Sequence, residues 1–352
     1  MQRVVITKFR EFTDVIMTVP VIYSACASNP HLDFVLVTRP SLVSLFVNPP
    51  ENLQIEALDI NGYKGADGAL KLWKRLEADF HPDILVCLNT SAFFRLVALR
   101  ARMSGCKASA LKSAPHYRRL IRRNNKVMLP LLSTRARYRE AFFRVGIAVQ
   151  EHFKGLYGEN GHGDPQLFAS ITPPPEASEI WVGIAPFAKH RGKAYPPELM
   201  EEVLDIIEKE VKGVKVFLFG GGEGEREILT QWAERHECAM SPVQARLGFP
   251  AELSLLSFLD VLVTMDSANM HLASLVGVPV ITLWGATHPY CGYKGWHQKE
   301  SATIQLPMPC RPCSLFGDKD CHRGDYHCLT AIKPRFIADK IIGALASRNN
   351  HR

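Results

Sequence analysis

Short runs of apolar residues alternate along the chain with longer, helix-length segments. The runs lie at residues 4–7, 34–38 and 84–88 in the first half, and at residues 180–185, 214–219, 261–264 and 280–283 in the second half. Apolar runs of four to eight residues separated by helical segments are typical of buried strands in parallel sheets. The pattern therefore predicts an α/β fold in which the sheets are doubly wound.

Proline and glycine interrupt this alternation near the middle of the chain. Clusters at residues 161–165 and 172–175 disfavour both helices and central strands. A chain of 352 residues is long for a single core, so we expect two domains. We predict Rossmann-like domains over residues 1–165 and 179–333, joined by a proline-rich linker over residues 166–178. Ligands of open α/β sheets bind beyond the carboxyl ends of the strands, and we expect the two domains to face a central cleft.

Composition narrows the class of protein. The chain is 47% hydrophobic, but no apolar run approaches the ~20 residues of a spanning helix. Met1 enters a strand directly, without the pattern of a secretory signal, which indicates a cytoplasmic location. Nine cysteines in such a chain indicate reduced thiols rather than a disulfide framework.

The most informative stretch follows the apolar run 261–264. Asp266 and Ser267 stand where a helix would begin, and His271 lies one turn inside that helix. The free N–H groups and the dipole of a helix start attract phosphate, while a carboxylate beside them accepts hydrogen bonds from sugar hydroxyls. The stretch predicts a site for an anionic sugar derivative. A core role for His271 is the alternative.

Several motifs of the second half give a family resemblance. They are DSANMHLA at 266–273, GVP at 277–279, WGATHP at 284–289, VGIAPF at 182–187, GKAYP at 192–196 and FGGG at 219–222. Together they resemble the ADP-heptose:lipopolysaccharide heptosyltransferases, glycosyltransferase family 9. The resemblance implies a GT-B fold with an acceptor-side N-terminal domain and a nucleotide-sugar-binding C-terminal domain. It also implies that the helix over residues 334–352 packs back on the first domain.

The resemblance assigns the donor side residue by residue. It implies that Asp266, Ser267, Ala268 and His271 hold the donor sugar and phosphate, and that Lys193 contacts the diphosphate. A surface lysine is the alternative for Lys193. Glu225 would bind the adenosine ribose, with Glu223 as the other candidate, although the glycine-rich turn before them also suits a simple tight turn.

On the acceptor side, one residue of the family pattern is present in this chain and several others are replaced. The resemblance makes Asp14 the general base, and a carboxylate stabilised by a helix dipole is the alternative. Arg10, Glu11 and Thr13 depart from the family pattern around it. After the third strand the chain has Cys87, Leu88 and Asn89 where the family often has Asp-x-His.

A basic stretch lies between Asp83 and Glu140, where no acidic residue occurs but thirteen Lys or Arg do. We predict that Arg118, Arg119, Arg122 and Arg123 bind an anionic, phosphorylated acceptor, and that the stretch contacts the inner membrane surface peripherally. A solvated basic helix is the alternative. Nucleic acid is not expected, because no aromatic-interleaved platform accompanies the charge.

Four cysteines cluster near the C-terminus in the spacing C-x2-C-x7-C-x6-C: Cys310, Cys313, Cys321 and Cys328. Thiolates close together in a reduced chain favour a structural Zn²⁺ or iron site. Unligated thiols are the next alternative and disulfides the last.

The resemblance thus implies an inverting transferase that moves heptose or a related sugar from an ADP-sugar to a lipopolysaccharide-type acceptor. No Asp-x-Asp motif follows a strand, so we expect metal-independent chemistry without a catalytic cofactor. The alternative is a non-catalytic nucleotide-sugar-binding protein of an envelope-assembly complex. An epimerase is disfavoured, since the chain lacks a dinucleotide fingerprint and a Tyr-x-x-x-Lys pair.

Overall fold

The computed structural model describes residues 1–10, 12–112, 117–242 and 248–349, and the side chains of Glu223, Arg348 and Asn349 are outside the description. Glu11 also lies outside the described residues. The chain divides into two compact units. Unit 1 comprises Met1–Pro115 and Leu132–Leu156, and unit 2 comprises His116–Leu131 and Tyr157–Arg352.

Unit 1 is built on a parallel sheet with strand order β3-β2-β1-β4-β5. Its strands are β1 (Gln2–Thr7), β2 (Leu32–Thr38), β3 (Leu53–Ala57), β4 (Ile84–Cys87) and β5 (Lys107–Ala110). Its helices are α1 (Phe12–Ile16), α2 (Val19–Ser28), α3 (Gly65–Phe80), α4 (Ala92–Met103) and α6 (Thr134–Phe143). The connections run outward in one direction from β1 to β3 and in the other from β4 to β5. The switch point therefore lies between β1 and β4.

Unit 2 contains a parallel sheet with strand order β11-β10-β9-β6-β7-β8. Its strands are β6 (Ile180–Ala185), β7 (Val214–Leu218), β8 (Ala239–Met240), β9 (Val261–Met265), β10 (Val280–Leu283) and β11 (Thr303–Ile304). Its helices are α5 (Tyr117–Leu120), α7 (Pro197–Glu210), α8 (Glu223–Arg235), α9 (Phe249–Ser257), α10 (Ala268–Leu275), α11 (His327–Thr330) and α12 (Pro334–Asn349). Here the switch point lies between β6 and β9.

The strands pair in register through their apolar residues. Val5 of β1 is opposite Val35 of β2 and Leu85 of β4, and all three side chains are buried. In unit 2, Ile184 of β6 is opposite Val263 of β9, again with both side chains buried. Burial on both faces explains why these strands appear in the sequence as continuous apolar runs. All seven predicted strands are present.

Two expectations about domain boundaries need correction. Unit 1 ends at Leu156 rather than at residue 165, and residues 166–178 belong to unit 2. Phe168, within the predicted linker, is buried against Trp181. Residues of the predicted linker therefore contribute to the core of unit 2 and do not form a separate connection between the domains.

The C-terminal helix contributes to the core of unit 2. Ile337, Ala338 and Ile341 of α12 are buried in the core of unit 2, where the helix packs on α7 and β9. The apolar face of α12 therefore completes the unit 2 core, and packing of this helix on the first domain stays a prediction. Within the described ranges, no helix has the length and apolar character needed to span a membrane.

Candidate donor and acceptor sites

The predicted helix start lies directly after a central strand. Asp266 follows β9, and Ser267 is the residue that precedes the first turn of α10. The Asp266 amide donates to Leu283 O at 3.1 Å, which continues the pairing of β9 with β10. The carboxylate thereby stands at the carboxyl end of β9, next to the switch point.

Two side chains from other loops converge on the Asp266 carboxylate. Lys193 Nζ lies 2.9 Å from Asp266 Oδ2, and the Thr287 hydroxyl donates to the same oxygen at 2.8 Å. Asp266 and Thr287 are buried, and the Lys193 side chain is only 17% exposed. A buried carboxylate is stable only when it is paired and hydrogen-bonded, and these two groups meet that need.

Glycines bring Lys193 to this position. Lys193 ends the 3-10 helix Arg191–Lys193, in the loop after β6, and Gly192 O accepts a bond from Ala286 N at 2.7 Å. A Cβ on Gly192 would lie 2.8 Å from Gly317 O and 2.9 Å from Ala286 Cβ. Any larger residue would therefore push the lysine loop away from the turn that carries Thr287.

The start of α10 has no side-chain cap from the residue that precedes it. Ser267 has extended backbone and makes no side-chain cap bond; its hydroxyl lies 3.0 Å from Thr264 Oγ1 instead. The amides of the first helical turn, from Ala268 onward, have no partner within the helix. His271 is buried one turn farther along. This arrangement suits phosphate or another anion at the helix start.

Glu225 lies beyond the next strand, in the first turn of α8. Its Oε2 accepts from Gly221 N at 2.8 Å and from Gly222 N at 2.9 Å. Glu225 therefore caps the helix that follows the glycine-rich turn, a structural role that the sequence did not predict. Since β7 neighbours β6, this turn lies at the same sheet edge as Lys193.

Asp14 lies in unit 1, in the first turn of α1. Its Oδ2 is 3.3 Å from Lys8 Nζ, and its backbone oxygen accepts from the Tyr138 hydroxyl at 3.1 Å. Lys8 is buried, donates to Leu88 O at 3.0 Å and lies over the Tyr138 ring. The lysine is thus fixed, while the Asp14 side chain is 28% exposed.

Asn89 stands in the stretch after β4 where the family often has Asp-x-His, and its side chain has a structural role there. Its side chain is buried after β4, accepts from Phe9 N at 3.2 Å and donates to Thr7 O at 3.1 Å. Asn89 therefore fixes the loop between β1 and Asp14. The sequence showed the departure but not this function.

The four predicted metal-binding cysteines line one small pocket together with His322 and His327. All four thiols are free, and burial raises the pKa of Cys328 to about 11 and also raises the pKa of Cys313. Within the described part of the chain, no three His, Cys, Asp or Glu side chains are already arranged to hold a metal ion. The predicted ligands are brought together, but not in ligand geometry.

Arg311 joins this cysteine segment to the donor side. It is buried, and its guanidinium donates to Thr287 O at 3.0 Å, to Trp284 O at 2.8 Å and also to Gly285 O. Cys313 N donates to Ala286 O at 2.9 Å. The segment therefore braces the turn that presents Thr287.

The predicted acceptor-binding arginines lie in a segment that groups with unit 2. Arg118 and Arg119 lie in α5, Arg122 and Arg123 follow it, and all four are exposed. Their assignment to the N-terminal domain was therefore wrong. Lys126, a few residues on, donates to Cys310 O at 2.6 Å and to Pro312 O at 2.8 Å.

The fold and the predicted donor side together define a class: an α/β protein with a helix start, a buried carboxylate and a lysine at a switch point. The family model of glycosyltransferase family 9 (heptosyltransferase) matches residues 72–320. The chain belongs to this family.

Two curated relatives are similar over part of their length. Lipooligosaccharide heptosyltransferase 2 of Campylobacter jejuni is 22% identical over 139 residues, which cover 39% of this chain and 42% of the relative. Lipopolysaccharide heptosyltransferase 1 of Pseudomonas aeruginosa is 28% identical over 167 residues, which cover 44% of this chain and 43% of the relative. The chain thus spans about two fifths of the length of the curated relatives it matches.

Solved structures share the fold over nearly the whole chain. A family 9 glycosyl transferase from Veillonella parvula has a TM-score of 0.69 at 16% identity and covers 98% of both chains. Heptosyltransferase WaaC of E. coli with ADP has a TM-score of 0.63 at 15% identity and covers 97% and 100%. The iron-containing dodecameric glycosyltransferase TibC of E. coli has a TM-score of 0.56 at 12% identity and covers 98% and 76%. The GT-B fold is therefore confirmed.

Proposed function

We propose that the chain transfers heptose or a related sugar, with inversion, from an ADP-sugar to an anionic lipopolysaccharide-type acceptor. The observation that carries the proposal is the convergence of Lys193, Asp266 and Thr287 at the start of α10. The arrangement joins a cation, a hydroxyl-binding carboxylate and free helix amides. A sugar linked to a diphosphate needs these three groups.

Donor binding would move the Lys193 ammonium group from the Asp266 carboxylate to the diphosphate. Lys193 neutralises Asp266 in the structure, and a diphosphate would compete for its ammonium group. Ser267, Ala268 and His271 would bind the remaining phosphate oxygens, Asp266 the sugar hydroxyls and Glu225 the ribose. Fixed positive groups stabilise the charge that develops on the leaving ADP, which is the main electrostatic requirement of the reaction. WaaC with ADP supports the choice of nucleotide.

Transfer would proceed by a single displacement. Asp14 would accept the proton of the acceptor hydroxyl as its oxygen attacks the anomeric carbon, and the bond to ADP would break on the opposite face. The partly exposed Asp14 carboxylate, which is paired with the buried Lys8, suits that role. The exposed arginines at positions 118, 119, 122 and 123 would bind the anionic acceptor.

We also infer a structural Zn²⁺ or iron bound by Cys310, Cys313, Cys321 and Cys328. Four thiols lining one pocket form a donor set suited to these metals, and TibC is an iron-containing protein of the same fold. The metal would stabilise the segment that braces Thr287 and would take no part in the transfer. Elemental analysis near one equivalent supports this site, and its absence removes it.

A second function is favoured by the contact between Lys8 and Asp14. A carboxylate already engaged by a buried ammonium also suits a protein that binds an ADP-sugar without transferring it. Purified protein with ADP-heptose and a Kdo- or heptose-terminated acceptor separates the two. Release of ADP coupled to product supports transfer. Donor binding without turnover supports the non-catalytic function.

A further inference from the structure

The side chain of Lys193 lies against a glycine of residues 310–328, which we call the cysteine segment. This glycine, Gly317, is buried and has a φ of +78°. A Cβ placed on Gly317 would lie 2.6 Å from Lys193 Cγ, 3.3 Å from Cδ and 3.2 Å from Cε. Carbon atoms pack at about 3.5–4.0 Å. The stem of the lysine therefore occupies the space that a side chain at position 317 would need.

Hydrogen bonds connect the turn at Gly317 to the loop that carries the lysine. Gly317 N donates to Ser314 Oγ at 2.9 Å, and Ser314 is completely buried. Ser314 N donates to Ala286 O at 3.3 Å, and Ala286 N donates to Gly192 O at 2.7 Å. This series of bonds ends at the residue before Lys193. The backbones of Gly317 and Lys193 are therefore held at a fixed separation.

A second contact joins the lysine loop to the cysteine segment. The Arg191 guanidinium lies over the Tyr326 ring, 4.7 Å from its centroid, and Arg191 Nη1 donates to Ala194 O at 2.8 Å. Tyr326 precedes α11, and its carbonyl accepts from the amide of Leu329, which is buried in the unit 2 core. A cation over an aromatic ring is attracted to it. Tyr326 therefore restrains the 3-10 helix that ends at Lys193.

The direction of the Lys193 side chain determines what its ammonium group can reach. In the structure, Nζ lies 2.9 Å from Asp266 Oδ2, at the carboxyl end of β9. A free lysine stem samples many staggered rotamers, and a ligand that orders it must offset the lost entropy. Contact with Gly317 along three stem carbons favours one direction before the ligand arrives. Such preorganisation increases affinity.

We propose that Gly317 and Tyr326 are positioning residues for Lys193 and direct its ammonium group to the diphosphate of the donor. Gly317 acts by leaving room for the lysine stem, and Tyr326 acts by holding Arg191. The inference rests on the proposed function, because the diphosphate is the ligand that we assign to Lys193. It gives the cysteine segment a part in donor binding through the lysine loop.

The first test adds one methyl group at Gly317. Gly317→Ala should weaken ADP binding about tenfold, because the new Cβ displaces the lysine stem and contacting residues are coupled to this extent. Gly324→Ala is the matched control. Gly324 lies in the same segment with a φ of +80°, but apart from its chain neighbours no atom of the described residues lies within 4 Å of a Cβ there. Calorimetric titration measures both variants. Equal losses would overturn the inference, since backbone strain would explain them.

A double-mutant cycle shows whether Gly317 acts through the lysine. Lys193→Ala removes Cγ, Cδ and Cε, so in this background Gly317→Ala should change ADP affinity by no more than about twofold relative to Gly324→Ala. The ligand-free proteins give a second readout. Gly317→Ala should lower Tm more than Gly324→Ala does when Lys193 is present, and by the same amount when it is absent. Additive losses in both readouts would make Gly317 a structural glycine and overturn the inference.

The contribution of Tyr326 has its own conservative variant. Tyr326→Leu should weaken ADP binding about two- to fivefold, which corresponds to a cation–π contact at a partly exposed site, whereas Tyr326→Phe keeps the ring and should keep the affinity. In the Arg191→Gln background, Tyr326→Leu should cause no further loss. Equal losses in the Leu and Phe variants, or a further loss in the Arg191→Gln background, would contradict the role of Tyr326.

Ligand binding by the wild type distinguishes failure of this inference from failure of the proposed function. If Gly317 and Lys193 are coupled in Tm but neither ADP nor ADP-heptose binds, the proposed function is contradicted together with the diphosphate as ligand, and the positioning of Lys193 is supported. If ADP binds and no coupling is found, the positioning is contradicted and the proposed function is unaffected.

Discussion

Units 1 and 2 each place a lysine and an aspartate at the switch point of a parallel sheet, but they expose opposite members of the pair. In unit 1, Lys8 is buried and the Asp14 side chain is 28% exposed. In unit 2, Asp266 is 5% exposed and Lys193 is 17% exposed. The first arrangement offers a carboxylate to a ligand, and the second offers an ammonium group. The same topology thus fits the proton abstraction that we propose for one unit and the diphosphate binding that we propose for the other.

The surroundings of the two lysines agree with this difference. Lys8 also donates to Leu88 O and lies over the Tyr138 ring, so its position is fixed. Its positive charge is therefore held beside the Asp14 carboxylate. Lys193 is the last residue of a short 3-10 helix, and the carboxylate that it pairs with also accepts a hydrogen bond from Thr287. Lys193 can therefore leave Asp266 for a diphosphate without leaving that carboxylate unpartnered.

The largest expected effect concerns the exposed carboxylate of unit 1. Asp14→Asn should lower kcat about 10²–10⁴-fold with little change in donor affinity, because general-base catalysis contributes that much. Asp67→Asn is the matched control, since Asp67 also lies in the first turn of a unit 1 helix. Steady-state kinetics with ADP-heptose measure both variants. Equal turnover in the two would make Asp14 a helix-start carboxylate.

The next effect concerns Lys193, the more exposed member of the ion pair in unit 2. Lys193→Met should reduce turnover about 10²–10³-fold, the usual cost of removing one group that stabilises transition-state charge. It should also weaken binding of ADP. Lys189→Met removes an exposed charge from the same loop and should have little effect. If both variants behave alike, the loop provides only diffuse positive charge.

A smaller effect should follow from loss of the Thr287 hydroxyl. Thr287→Val keeps the buried shape but frees Asp266 Oδ2 from one bond, so the preference for ADP-heptose over ADP should fall about tenfold. Thr287→Ser should restore it. Calorimetric titration gives both affinities. A purely structural role for Thr287 would instead lower thermal stability and leave the ratio of affinities unchanged.

The smallest effect is a pH dependence of folding stability that arises from His288, next to the turn that carries Thr287. Burial, and then the Arg311 guanidinium, lower the pKa of His288 to about 4. The unfolded chain takes up this proton near pH 6.5, so the associated stability is present above about 6.5 and is lost as the pH falls towards 4. We expect the wild type to lose a few degrees more of Tm over this range than His288→Asn does. If Tm falls equally with pH in the wild type and in His288→Asn, His288 is not the source of the pH dependence.

Local patterns predicted what lies close together in the sequence. The strand, the helix start and Asp266 form one continuous stretch of the chain, and the seven strands were visible as apolar runs. The contacts made by Thr287, Lys8 and Lys126 join distant parts of the chain, so spacing could not reveal them. The GAT motif at 285–287 was the one signal that could have identified Thr287.

The errors have a physical origin as well. Proline density correctly indicated irregular structure at 161–175, but it carries no information on the burial of Phe168. The sequence position of Arg118 suggested the first domain, whereas the bonds of Lys126 hold this segment on unit 2. The apolar face of α12 was compatible with either unit. Which core it completes depends on tertiary packing.

The most direct test of the account is a comparison of ADP-heptose and ADP binding by calorimetry in the wild type and in Asp266→Asn. We predict that the wild type binds both ligands and prefers ADP-heptose. The variant should retain ADP, because Lys193 and the α10 amides remain, but lose that preference because a carboxylate contact to the sugar hydroxyls is gone. An equal loss of both affinities, or no binding of either ligand by the wild type, would contradict the assignment of this site.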